Sequence, residues 1–124
     1  MASPSEFELI RSIAATVGPA RRARLGIGDD AAVIEGGGRF WLFAADMMIE
    51  DVHFSRELSS LEDVGWKALA VNISDIAAMG GLPRYATVSL GLTATDEAAG
   101  VYRGLAACAR AFDVEIVGGD LVRS

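Results

Sequence analysis

Apolar residues recur at helical spacing between Glu6 and Thr16, where Phe7, Ile10, Ile13 and Ala14 share a side. Ser5 stands as a candidate N-cap and Gly18-Pro19 closes the run, so a short amphipathic helix is predicted there. Ala31 to Ile34 then reads as a buried strand, Glu35-Gly36-Gly37-Gly38 as a loose turn, and Phe40 to Asp46 as a second strand. Residues 31 to 46 are therefore a predicted hairpin. Met47 to Ser60 has no clean period and reads as a functional or mobile loop, with Ser59 or Ser60 capping the next helix. From Glu62 to Met79 the chain is apolar nearly all round (Val64, Trp66, Leu69, Val71, Ile73, Ile76), the pattern of a buried helix, and Gly80-Gly81 with Pro83 ends it. Tyr85 to Leu92 alternates as a strand and Asp96 to Phe112 is an amphipathic helix. Glu115 to Val117 is a last strand running into Gly118-Gly119-Asp120.

The predicted order is α-β-β-α-β-α-β, which belongs to the α+β class: a four-stranded mixed or antiparallel sheet with helices on one face. The other face of such a sheet needs a cover, and a partner subunit is the simplest one. No repeat, low-complexity stretch or linker interrupts the chain, so residues 1–124 are expected to form one domain.

Composition narrows the function classes. At 52% apolar residues the chain can build one core. No apolar run approaches the ~18 residues of a membrane span, and Met1 to Glu8 lacks a basic stretch followed by an apolar one, so a soluble, cytoplasmic protein is expected. A net charge of −6 and a pI near 4.6 argue against nucleic-acid binding, which needs clustered Lys and Arg. The single cysteine, Cys108, has no disulfide partner and sits in an Ala-rich helical stretch, which reads as packing.

An acidic chain still binds phosphates when divalent cations stand between its carboxylates and the ligand, so the placement of the acids matters. Asp75 lies within the predicted buried helix one turn from Asn72, and a lone buried carboxylate there is costly unless paired or metal-bound. Lys67 is the nearest cation in sequence, but its position round the helix disfavours a direct pair. Asp29 and Asp30 follow a Gly-x-Gly loop, Asp46 ends a strand and Asp120 follows a Gly-Gly at a strand end. Carboxylates repeated at element ends suit hard cations with oxygen ligands, whereas one His and one Cys disfavour zinc. There is no P-loop, Gly26-Ile27-Gly28 lacks the third glycine of a dinucleotide fingerprint, and His53 is the only base available for a triad. Metal-assisted phosphate chemistry is the class left standing.

Four strings carry a resemblance: Gly26-Ile27-Gly28-Asp29-Asp30-Ala31-Ala32; Asp46 through His53-Phe54; Gly65-Trp66-Lys67-Ala68 through Asn72-Ile73-Ser74-Asp75-Ile76-Ala77-Ala78-Met79-Gly80; and Gly118-Gly119-Asp120. Together and in this order they resemble the thiamine-monophosphate kinases. These share a superfamily with aminoimidazole-ribonucleotide synthetase and selenophosphate synthetase. The Trp-Lys and His-Phe elements favour the kinase, and the lack of a cysteine before Cys108 disfavours the selenophosphate branch.

The resemblance implies ATP-dependent phosphorylation of thiamine monophosphate to thiamine diphosphate, with no covalent enzyme intermediate and no catalytic side chain beyond the metal ligands. It implies several Mg2+ ions on Asp30, Asp46, Asp75 and Asp120, His53 at the thiamine-phosphate site, and Gly119 with Asp120 bordering ATP. Asp29, Ala45 and Asn72 are secondary candidates; family members place hydroxyl residues where this chain has Ala44 and Ala45. It also implies a homodimer whose N-terminal domains pair sheet to sheet as a barrel. The family's further domain lies outside these residues, so the chain alone is expected to be inactive. Two other readings stay open: a related enzyme such as aminoimidazole-ribonucleotide synthetase, and a non-catalytic dimerisation module.

Overall fold

The structure, a computed structural model, describes residues 3–94 and 97–123. Its elements follow the expected order: α1 (Glu6–Val17), β1 (Ala32–Gly36), β2 (Arg39–Phe43), α2 (Leu61–Ala78), β3 (Tyr85–Leu92), α3 (Ala98–Phe112) and β4 (Glu115–Arg123). The expected start of the third helix at Asp96 lies outside the described residues. The chain divides into two compact units, with the boundary between Ala44 and Ala45.

In the first unit α1 begins at a capping box. The Ser5 hydroxyl accepts from the Glu8 amide at 3.3 Å, and the Glu8 carboxylate accepts from the Ser5 amide at 2.7 Å. The same bond from the Ser5 backbone holds the Glu8 carboxyl below its ordinary range. No residue of α1 is buried. Strands β1 and β2 pair antiparallel from Ala32↔Phe43 to Gly36↔Arg39. Gly37 and Gly38 both have positive φ, so two residues make the turn that the sequence suggested would take four. Strand β2 also stops short of Asp46, because β1 offers no partner beyond Ala32.

The second unit holds the core. Leu69 of α2 packs with Val101, Leu105, Cys108 and Ala109 of α3 and with Val114, and Ala86, Val88, Leu90 and Ile116 of the strands pack against this cluster. Burial alternates along β3, so both helices cover one face of the β3–β4 pair. The helices cross closely: a Cβ on Gly65 would strike the Val101 carbonyl, and one on Gly104 the Glu62 carbonyl. Arg103 fastens the crossing, reaching the Glu62 carboxylate at 2.7 Å. The α2 helix is less enclosed than its all-round apolar pattern suggests. Only Val64, Gly65 and Leu69 are buried, because α3 covers just one of its sides.

Strands β3 and β4 run parallel, with α3 as the crossover that parallel pairing requires. The pairing passes from Ala86↔Ile116 to Thr87↔Gly118, so Val117 is bulged out and β4 continues to Arg123. The Gly-Gly expected to end this strand is therefore inside it. The α+β class holds, and the four strands pair as two two-stranded sheets, one antiparallel and one parallel.

Candidate functional site

Each candidate ligand is placed by a different local device. In the first unit, Asp29 and Asp30 are exposed in the loop leading into β1, and Asp29 Oδ1 accepts from the Asp30 amide at 2.8 Å. In the second unit, exposed Asp46 opens the segment before α2, and its Oδ1 accepts from the Met47 amide at 2.9 Å. Ala45 beside it is exposed and has no side-chain donor or acceptor.

Asn72 and Asp75 lie one turn apart on α2, both half-buried. The Asn72 Nδ2 donates back to the Ala68 carbonyl at 2.9 Å, which leaves its Oδ1 as a free acceptor. Asp120 is exposed and stands opposite Ser89 in the parallel pair, on the sheet face turned away from α2 and α3. Gly119, with φ of 153°, lies against Val88, whose carbonyl a Cβ would overlap. Only glycine lets β4 carry Asp120 in this register.

None of Asp30, Asp46, Asp75 and Asp120 forms an ion pair among the described residues, although four other acids do. Asp75 thus has no cationic partner there, and Lys67 is engaged elsewhere. Among the described residues, no three His, Cys, Asp or Glu side chains are gathered closely enough to hold a metal. The donor set itself, unpaired carboxylates with an amide oxygen, is hard and oxygen-only and fits magnesium chemistry.

The segment around His53 is more ordered than its irregular sequence suggests. The His53 amide donates to the Ile49 carbonyl at 2.9 Å, while the Ile49 amide donates to His53 Nδ1, also at 2.9 Å. Asp51, at φ 61°, turns the chain, and its amide donates to the Phe54 carbonyl. Lys67 reaches across from α2 to the His53 carbonyl at 2.6 Å, and Arg56 pairs with Glu97 at 2.7 Å. The Arg56 guanidinium is pushed up by the Glu97 carboxylate, mainly through their hydrogen bond. In the sequence Lys67 stands out as the cation nearest Asp75, disfavoured as its direct partner, and as part of the Trp-Lys element. Its contact with the loop joins positions on separate elements, and no spacing rule announces such a contact.

Comparison with known proteins bears on what this arrangement serves. The model of the AIR synthase related protein N-terminal domain matches residues 28–124. The thiamine-monophosphate kinase of Bacillus subtilis (strain 168) is 44% identical over 121 residues, covering 94% of this chain and 37% of its own. The solved structure "AaThiL complexed with AMPPCP and TMP" superposes with a TM-score of 0.85 at 37% identity, covering 96% of this chain and 38% of that one. The thiamine-monophosphate kinase structure from Stenotrophomonas maltophilia K279a gives a TM-score of 0.65 at 39% identity, covering 97% and 39%. The chain thus spans well under half the length of each of these relatives.

Proposed function

From the premise that this chain belongs to the family of AIR synthase related proteins through their N-terminal domain, we propose that it is the ATP- and magnesium-binding N-terminal domain of a cytoplasmic thiamine-monophosphate kinase. The observation that carries this reading is its likeness, over 96% of its length, to a structure complexed with AMPPCP and TMP. The kinase names of the relatives favour it over aminoimidazole-ribonucleotide synthesis within the same family.

The reaction is in-line transfer: an oxygen of the thiamine monophosphate phosphate forms a bond to the γ-phosphorus of ATP as the bond to the ADP oxygen breaks. Magnesium, when bound, neutralises charge between two anionic reactants that would otherwise repel. Asp30, Asp46, Asp75 and Asp120 hold it, with Asp29 and Asn72 as secondary oxygen donors. Gly119 and Asp120 border the nucleotide, and His53 meets the acceptor phosphate. Ala44 and Ala45 contribute no hydroxyl ligand, so the metals depend on carboxylates. The side chains position and neutralise rather than exchange protons. Activity belongs to the longer protein, and this chain alone binds without turning over.

Two copies pair sheet to sheet as a barrel in this proposal. Support comes from the apolar side chains that the strands leave exposed on a single face, Ile34, Trp41 and Phe43 on one pair and Val122 on the helix-free side of the other. Calorimetric titration with AMPPCP, with and without Mg2+, tests the metal and nucleotide roles. Magnesium-dependent binding abolished by Asp75→Asn is expected. A folded dimer that binds nothing supports a second reading, a dimerisation module with an eroded site, which the alanines at 44 and 45 favour. In that case Asp30→Asn and Asp75→Asn stabilise the fold by relieving repulsion between unneutralised acids.

A further inference from the structure

We infer that Lys67 is a positioning residue for the acceptor: by gripping the His53 carbonyl it holds the imidazole with Nδ1 bonded inward and Nε2–H presented to the phosphate ester. This rests on the reading of His53 as the residue that meets the acceptor phosphate.

The geometry fixes the tautomer. A backbone amide is only a donor, so the Ile49 N–H, at 2.9 Å from His53 Nδ1, requires a lone pair there and places the proton on Nε2. Nε2 has no protein partner among the described residues and is left as a donor, the polarity an anionic oxygen needs. The ring is held at one end only. Its backbone is fixed by the return bond from the His53 amide to the Ile49 carbonyl and, from outside the loop, by Lys67 Nζ on the His53 carbonyl at 2.6 Å. Lys67 is the chain's sole lysine and has no carboxylate partner among the described residues. Its contact joins the loop to the helix that also carries Asn72 and Asp75, so this one cation sets the register of His53 against α2.

Because His53 is the only histidine, 15N labelling of histidine gives one ring to follow in the 124-residue chain. In the wild type a pyridine-type signal at Nδ1 and a pyrrole-type signal at Nε2 are expected, with the Nε2 signal moving as thiamine monophosphate is added. Lys67→Met should average the two tautomers and weaken binding roughly tenfold, the effect of one lost charge-assisted hydrogen bond. Lys67→Arg should restore both. Lys67→Gln, which keeps a neutral donor, serves if the methionine variant does not fold. Loss of binding with an unchanged tautomer means that Lys67 touches the ligand directly, and it overturns the positioning role. A variant that responds like the wild type overturns it as well, leaving the function standing. A clamped wild-type ring indifferent to thiamine monophosphate overturns the placement of His53 at the acceptor, and the inference with it.

Discussion

Single residues decide whether Asp120 reaches its place. With φ at 153° and Val88 against its α-carbon, Gly119 has room for no side chain. Gly119→Ala is expected to destabilise the fold by about 1–3 kcal/mol, the usual cost of a strained backbone position, read by urea denaturation. Glu62 offers a test by pH. Its carboxyl is held below the ordinary value of 4.5 chiefly by the hydrogen bond from Arg103. A group depressed in the folded state contributes stability above its unfolded value and loses it as pH falls through the folded one. Acid titration of stability from pH 4.5 downward should therefore be steeper in the wild type than in Glu62→Gln. Local devices at this scale were legible in the sequence. Ser5 and Ser60 both cap helices through an acid three residues on, a pattern contained within one turn. The bulge at Val117 was not, because it exists only relative to β3, some thirty residues earlier in the chain.

At the scale of elements, hydrophobic period and glycine punctuation gave the order of helices and strands, and β3 begins and ends where the alternation does. Pairing was harder to read. Whether β3 meets β4 in parallel depends on α3 turning the chain back, and whether all four strands share a sheet depends on contacts that no local window contains. The α2–α3 crossing rests on the absence of side chains at Gly65 and Gly104. Gly104→Ala should force the helices apart and cost about 1–3 kcal/mol, as overpacking does, with the Tm as readout. Cys108 provides an internal reporter. It is fully buried and burial pushes its thiol up, so a thiol reagent should modify it slowly in the native chain and faster in this variant.

Across the whole molecule, burial is unevenly distributed. The second unit holds the core cluster, whereas α1 buries no residue and Phe40, Trp41 and Phe43 stand exposed on the hairpin. Hydrogen exchange should therefore be slowest in α3 and β3 and fastest in α1. Under the proposed sheet-to-sheet pairing, Phe43→Arg should convert that dimer to monomer in sedimentation while leaving the α3 amides protected. The candidate site is read from the sequence only as separate positions. Sequence picks out Asp75 because it sits within a helix where a charge is otherwise costly, and the other acids because they recur at element ends. It does not gather them, and among the described residues no three such side chains come together.

The parallel pairing of β3 with β4 has a consequence for synthesis. A hairpin closes as soon as its second strand emerges from the ribosome, but β3 must wait for all of α3 and then β4. At roughly 5–20 residues per second, its edge stays open for on the order of a few seconds. During that interval the apolar face carrying Ala86, Val88 and Leu90 has no strand partner and lacks the cover of α3. Slower decoding across α3 lengthens the exposure.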